Sequence, residues 1–89
     1  MNVGPGTITG LRGWSSTTGD DSNDLTHPTN GSSIIARAIC LDADGTVYLD
    51  GPDCSNSPVY LAGGMWHAMQ VTRIYATGLS GPTNIYWGW

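Results

Sequence analysis

From Ile34 onward the apolar and polar residues alternate in short runs broken by turn residues, the pattern of half-buried strands. In "IIARAICL" (34–41), Ile35, Arg37, Ile39 and Leu41 share one face, and Ile34, Ala36, Ala38 and Cys40 the other. "DADG" (42–45) reads as a turn and "TVYLD" (46–50) as the returning strand, so the spacing predicts a hairpin. "GPDCSNSP" (51–58) reads as a loop, "VYLA" (59–62) as a short strand and Gly63-Gly64 as another turn. "MWHAMQVTRIYATG" (65–78) is the longest pattern, and both of its alternate sets are semi-apolar, which predicts one strand covered on both sides. After the turn "LSGPT", the last strand "NIYWGW" puts Ile85, Trp87 and Trp89 on one face and Tyr86 and Gly88 on the other.

Upstream the pattern weakens. Residues 2–14 are Gly-rich with one apolar stretch, "TITGLRGW", and fit a strand or an extended arm equally. Ser15 to Ser33 is polar with Leu25 as its one apolar anchor, so it reads as a surface-running arm or long connection, usual for functional or disordered loops. The expected architecture is all-β: a small β-sandwich or jelly-roll-like sheet pair of about five or six strands with an extended polar N-terminal arm. Residues 1–33 form the arm and residues 34–89 the compact β-domain. No internal repeat is visible.

Composition sharpens this picture. The 89 residues contain no Lys, Glu or Phe; all positive side-chain charge outside histidine sits on Arg12, Arg37 and Arg73, and the net charge is −4. Scattered arginines on an acidic chain argue against direct nucleic-acid binding, which draws on clustered Lys and Arg. No stretch reaches the run of about eighteen apolar residues of a membrane span, so no membrane partner is expected. The first residues lack the basic and apolar regions of a signal peptide, so synthesis in a cytoplasm is expected, with Cys40 and Cys54 as thiols. A disulfide between them remains the alternative, at about 3 kcal/mol by loop closure. A domain this small buries only about 60% of its unfolded surface, and the chain has no Lys to guard exposed sheet edges. Both features point to a subunit of an assembly, a homo-oligomer.

Candidate chemistry is sparse. Asp42, Asp44 and Asp50 flank a turn but lack the glutamate and helices of an EF-hand-type calcium loop. Asp20, Asp21 and Asp24 read as a solvated loop. His27 and His67 have no zinc-type spacing with each other or with the cysteines, and no nucleophile elbow or assignable triad appears. The expectation is a protein that is not an enzyme, with no catalytic residue, metal or cofactor. Aromatic area is abundant for so short a chain, and Trp87 and Trp89, near the end of the sequence, need something to pack against. Trp66, Tyr86, Trp87 and Trp89 are therefore the expected interface residues.

"DLTHPT" (24–29), the strand–turn–strand that follows, and "LAGGMWHAMQVTRIYATGLSGPTNIYWGW" resemble the small spike-base and head-decoration proteins of tailed phages and gene transfer agents. The residues carrying the resemblance are Asp24, Leu25, Pro28, Thr29, Arg73, Ile74, Ala76, Thr77 and Gly78, and it spans Asp24 to Trp89. Asn30 stands where such proteins often have Arg, and "GGMWH" is a less hydrophobic flank than usual. The resemblance implies a non-enzymatic virion protein on the outer surface of an icosahedral head, with the major capsid protein as partner. It would act as a capsid cement or decoration protein, trimeric by preference, or as a vertex spike base. The arm residues Asp24, Leu25, His27, Pro28 and Thr29 would contact the capsid. Arg37 and Arg73 would pair with acidic shell groups or, equally, with aspartates of the same fold. The alternative from a different class is a glycan-binding β-module that stacks sugars on exposed Trp and Tyr.

Overall fold

The computed structural model describes residues 11–89, which form seven strands and no helix. These are β1 (Trp14–Thr17), β2 (Ala36–Leu41), β3 (Gly45–Gly51), β4 (Cys54–Leu61), β5 (Trp66–Val71), β6 (Arg73–Ile74) and β7 (Ile85–Gly88). They make two small antiparallel sheets, ordered β1-β7-β2-β5 and β4-β3-β6, arranged like a β-sandwich. Ile39, Leu41, Val71, Ile85 and Trp87 from the first sheet meet Val47, Leu49, Leu61 and Ile74 from the second in one core. Each such side chain, fully buried, contributes about 1.5–3 kcal/mol. The outer face of the four-stranded sheet carries a second cluster, where Ala38, Cys40 and Trp66 are buried with Leu11 and Tyr86 against them.

Three local expectations are corrected. The first concerns the hairpin at residues 42–45, since β2 pairs with β5 and β7 and β3 pairs with β4 and β6. The physical reason lies in β2, where every residue but Arg37 is buried: both edges and both faces are already used. The chain therefore crosses to the other sheet at "DADG". Asp42 accepts hydrogen bonds from the Thr83 N–H and hydroxyl, and Asp44 from the Gly63 N–H, so both carboxylates brace turns.

The second correction splits residues 65–78. The chain leaves the four-stranded sheet at Thr72, whose N–H bonds the Asp50 carbonyl, and enters the three-stranded sheet as β6. Met69 and Val71 face the core before the switch and Ile74 faces it afterwards, so the inward parity changes. That change is what made both alternate sets look semi-apolar. The third correction is β4, which occupies most of the expected 51–58 loop. Its polar residues and Pro58 suit an edge strand, and an irregularity in the β3–β4 register next to Asn56 (φ 48°) distorts that edge.

The described part of the expected arm or long connection is docked on the β-domain. Trp14–Thr17 pairs with β7 as an edge strand, and Leu25 lies in the core. The Asp20 N–H bonds the Ile74 carbonyl and the Leu25 N–H the Thr72 carbonyl, both at 2.8 Å. Asp24 pairs with Arg73 at 2.9 Å. Asp21 accepts from the N–H groups of Ala76 and Thr77 and from the Thr77 hydroxyl. Just beyond, Gly78 sits at φ +88° against the Tyr48 ring, where a Cβ would be both strained and obstructed. Residues 1–10, which include most of the stretch read as strand or arm, lie outside the described residues. Cys40 is buried on one sheet and Cys54 is exposed on the other, both as free thiols.

The Thr77 hydroxyl, with the backbone N–H groups beside it, holds the Asp21 carboxyl below the ordinary aspartate range. The Thr83 hydroxyl does the same for Asp42. A depressed native pKa contributes stability that is complete above the unfolded value, about 3.9, and is lost as pH falls through the native one. The melting temperature is therefore expected to fall steeply below about pH 4. Asp21→Asn should melt lower than wild type at pH 7 and show a shallower acid dependence. An unchanged melting curve for Asp21→Asn at pH 7 would contradict the tie.

Candidate functional site

The residues expected at contacts separate into distinct places. Trp87 is 4% exposed and belongs to the core, so it finds its neighbours inside its own chain. Trp66 is buried on the outer face of the four-stranded sheet with half-buried Tyr86 beside it, and Trp14, 47% exposed, meets Tyr86 edge-on at 5.8 Å. Leu25 is core. Arg73 is held within the fold: it pairs with Asp24 at 2.9 Å, lies 4.0 Å from Asp50 and stands over the Tyr75 ring at 5.8 Å. Of the two pairings open to Arg73, the structure contains the internal one. Pro28 and Thr29 are exposed on the turn after His27.

His27, Arg37 and Trp89 converge. With Arg12 and Ile34 they line an open cleft of about 630 Å³. The register explains why. Ala38 pairs with Gly88 and Ile39 with Trp87, so one further step sets exposed Arg37 opposite Trp89, which continues the row of Trp87. The cleft thus lies where the core-facing row runs out beyond the end of the core. On the other side of Trp89 the ladder with β1 continues: the Trp89 N–H bonds the Gly13 carbonyl at 3.1 Å and the Arg12 N–H bonds the Trp89 carbonyl at 2.6 Å. The terminal indole packs on Trp87 with ring centres 5.4 Å apart and meets His27 edge-on at 5.0 Å.

His27 is fixed by its own turn. Its Nδ1 accepts from the N–H groups of Thr29 at 3.1 Å and Asn30 at 3.4 Å, so the neutral ring carries its hydrogen on Nε2. The His27 N–H bonds the Ser32 carbonyl, the Gly31 N–H bonds the His27 carbonyl, and Thr26 and Ser33 bridge below. The "HPTNGS" turn is therefore a braced structure that holds an imidazole against Trp89.

Chemically the cleft combines two guanidinium groups with an imidazole, an indole and an aliphatic side chain. Two of the three arginines of a chain of net charge −4 are concentrated there. Guanidinium forks bind oxyanions through paired N–H donors. Among the described residues, no three His, Cys, Asp or Glu side chains are grouped to hold a metal ion. Arg12, Gly13 and Ile34 were not singled out from sequence as site residues. The available signal was charge: Arg12 is one of only three arginines, in a segment whose conformation was left open. Comparison with protein-family models, with curated proteins and with solved structures gives no match.

Gly13 makes room for Trp89: a Cβ there would stand 2.6 Å from Trp89 Cζ2. The indole must then move off His27 and Trp87. Gly13→Ala is expected to change the near-ultraviolet circular dichroism and red-shift tryptophan emission while the far-ultraviolet spectrum is kept. Unchanged near-ultraviolet and emission spectra would contradict this placement of Trp89.

Proposed function

We propose that this chain is a non-catalytic virion structural protein: a capsid decoration or cement protein that binds the outer surface of a phage head, with the major capsid protein as its partner. The observation that carries the reading is the convergence of His27, Arg37 and Trp89, from three separated stretches of sequence, with Arg12 on one open cleft. In this fold the segments that carry the resemblance lie against one another. Asp24 pairs with Arg73, Leu25 and Ile74 share the core, and Thr77 binds Asp21 three residues before Asp24. In this reading the cleft and the exposed 27–32 turn face the shell. The outer face of the four-stranded sheet, with Trp14 and Tyr86, meets the neighbouring subunit of a trimer. Binding only to the assembled shell stabilises that state by mass action.

A second reading, the vertex spike base, is favoured by one observation. Tyr60 is 70% exposed on β4, an edge of the other sheet, so this short chain has a second surface for another protein besides the cleft. The glycan-module reading draws less support, since the exposed rings Trp14 and Tyr60 lie on edge strands of different sheets, Trp66 and Trp87 are buried, and Trp89 is packed against Gly13, Trp87 and His27.

Purified protein should co-sediment saturably with mature heads that lack it. Hundreds of copies per particle are expected for a cement protein, and a few tens would move the assignment to the vertex. No binding to such heads would overturn the virion reading.

A further inference from the structure

The cleft at the open end of the sandwich has a chemistry more specific than a general contact surface. We propose that it is a receptor for a short acidic peptide segment: two carboxylates taken by Arg12 and Arg37, with an apolar side chain between them seated against Ile34 and Trp89. This rests on the assembly reading only for the identity of the protein that carries the segment.

Charge comes first. Arg73 pairs with Asp24 and stands over Tyr75 away from the cleft, and the other two arginines line it. Both are exposed residues. Arg37 also interacts within the chain, but a guanidinium carries five N–H donors and can serve a second acceptor. The mixed lining then sets the type of anion. Nucleic acid draws its affinity from many cations that follow its backbone, and the cleft offers two. A peptide of two carboxylates around one apolar residue matches two arginines flanking Ile34 and Trp89.

The segment belongs to another kind of chain rather than to a second copy of this one. The aspartates here that could supply a pair have their carboxylates occupied: Asp20 by the Ser22 and Asn23 N–H groups, Asp21 by Ala76 and Thr77, Asp24 by Arg73, Asp42 by Thr83, Asp44 by the Gly63 N–H and Asp50 by Asn56 and Tyr75, which leaves Asp53 as a single carboxylate. An acidic sugar is the other carboxylate source, but it would stack on an indole face, and Trp89 packs against Gly13 and Trp87.

The test is fluorescence anisotropy on the full chain with a fluorescein-labelled Gly-Asp-Leu-Asp-Gly peptide at low salt. Saturable binding is expected, weakening with added salt and abolished in the Gly-Asn-Leu-Asn-Gly peptide. Arg12→Gln and Arg37→Gln, each checked for wild-type melting, should each weaken it about tenfold, the loss of one charge-assisted pair. Arg73→Gln should leave the affinity unchanged wherever it still folds. No saturable binding up to millimolar peptide, equal binding of the Asn peptide, or tighter binding of an oligogalacturonate would overturn the proposal. Unchanged affinity in both cleft variants would do the same. Head co-sedimentation of these variants separates the two readings. Heads that bind Arg12→Gln and Arg37→Gln normally refute the capsid as the carrier of the segment but keep the virion role. Peptide binding without head binding refutes the virion role and keeps the receptor.

Discussion

The structure depends on how a polar segment with one apolar residue is held against a sheet. Ordering a residue costs about 1–2 kcal/mol of backbone entropy, and residues 18–24 bury little to offset it. Fixed polar partners supply the difference. Two backbone bonds run from Asp20 and Leu25 to β6 and its approach, Asp21 caps two N–H groups and a hydroxyl beyond it, and Asp24 neutralises Arg73. Leu25 adds the apolar anchor in the core. Because residues 20–25 are fixed, the turn that follows is delivered to one place, and His27 arrives against Trp89. Without that tie the cleft would lack one wall.

The last strand answers to the same geometry. Trp87 fills the core, and Trp89 continues its row past the core, between Gly13 on one neighbouring strand and Arg37 on the other. Trp89 is tied down by its own ladder and by a histidine. The functional consequence is an opening that is apolar inside and cationic at its rim, on a molecule that is acidic elsewhere. That contrast favours an acidic segment small enough to be met by two arginines over nucleic acid, which draws on many cations.

Much of this was legible in the sequence, and the exceptions have definite causes. The all-β class, the two faces of Ile85–Gly88, and the shared face of Ile39 and Leu41 follow from period-two alternation. The alternation read over residues 34–41 breaks at the register shift between Ala36 and Ala38, so that Ile34 and Ala36 pack with Ile39 and Leu41 while Ile35 is exposed. Pairing did not follow, because a good turn such as "DADG" fits a hairpin and a sheet-to-sheet crossing alike. What distinguishes them is that β2 is apolar on both faces, a mark of a central strand that takes its neighbours from elsewhere. The switch at Thr72 was hidden because a parity change resembles a two-sided strand. The acidic loop looked solvated since its partners, Arg73 and Thr77, lie about fifty residues away. For the cleft, Arg37 and Trp89 were legible as expected interface residues, whereas Arg12 joined them only through the β1–β7 ladder.

The central claim is that the cleft end of the sandwich is the surface that meets the partner. Amide hydrogen exchange followed by mass spectrometry, comparing free protein with protein bound to heads, tests it most directly. The account predicts added protection in peptides covering residues 12–13, 27–37 and 87–89, with the β3–β4 hairpin unchanged. Protection confined to the β3–β4 hairpin, with those three stretches exchanging as in the free protein, would contradict it.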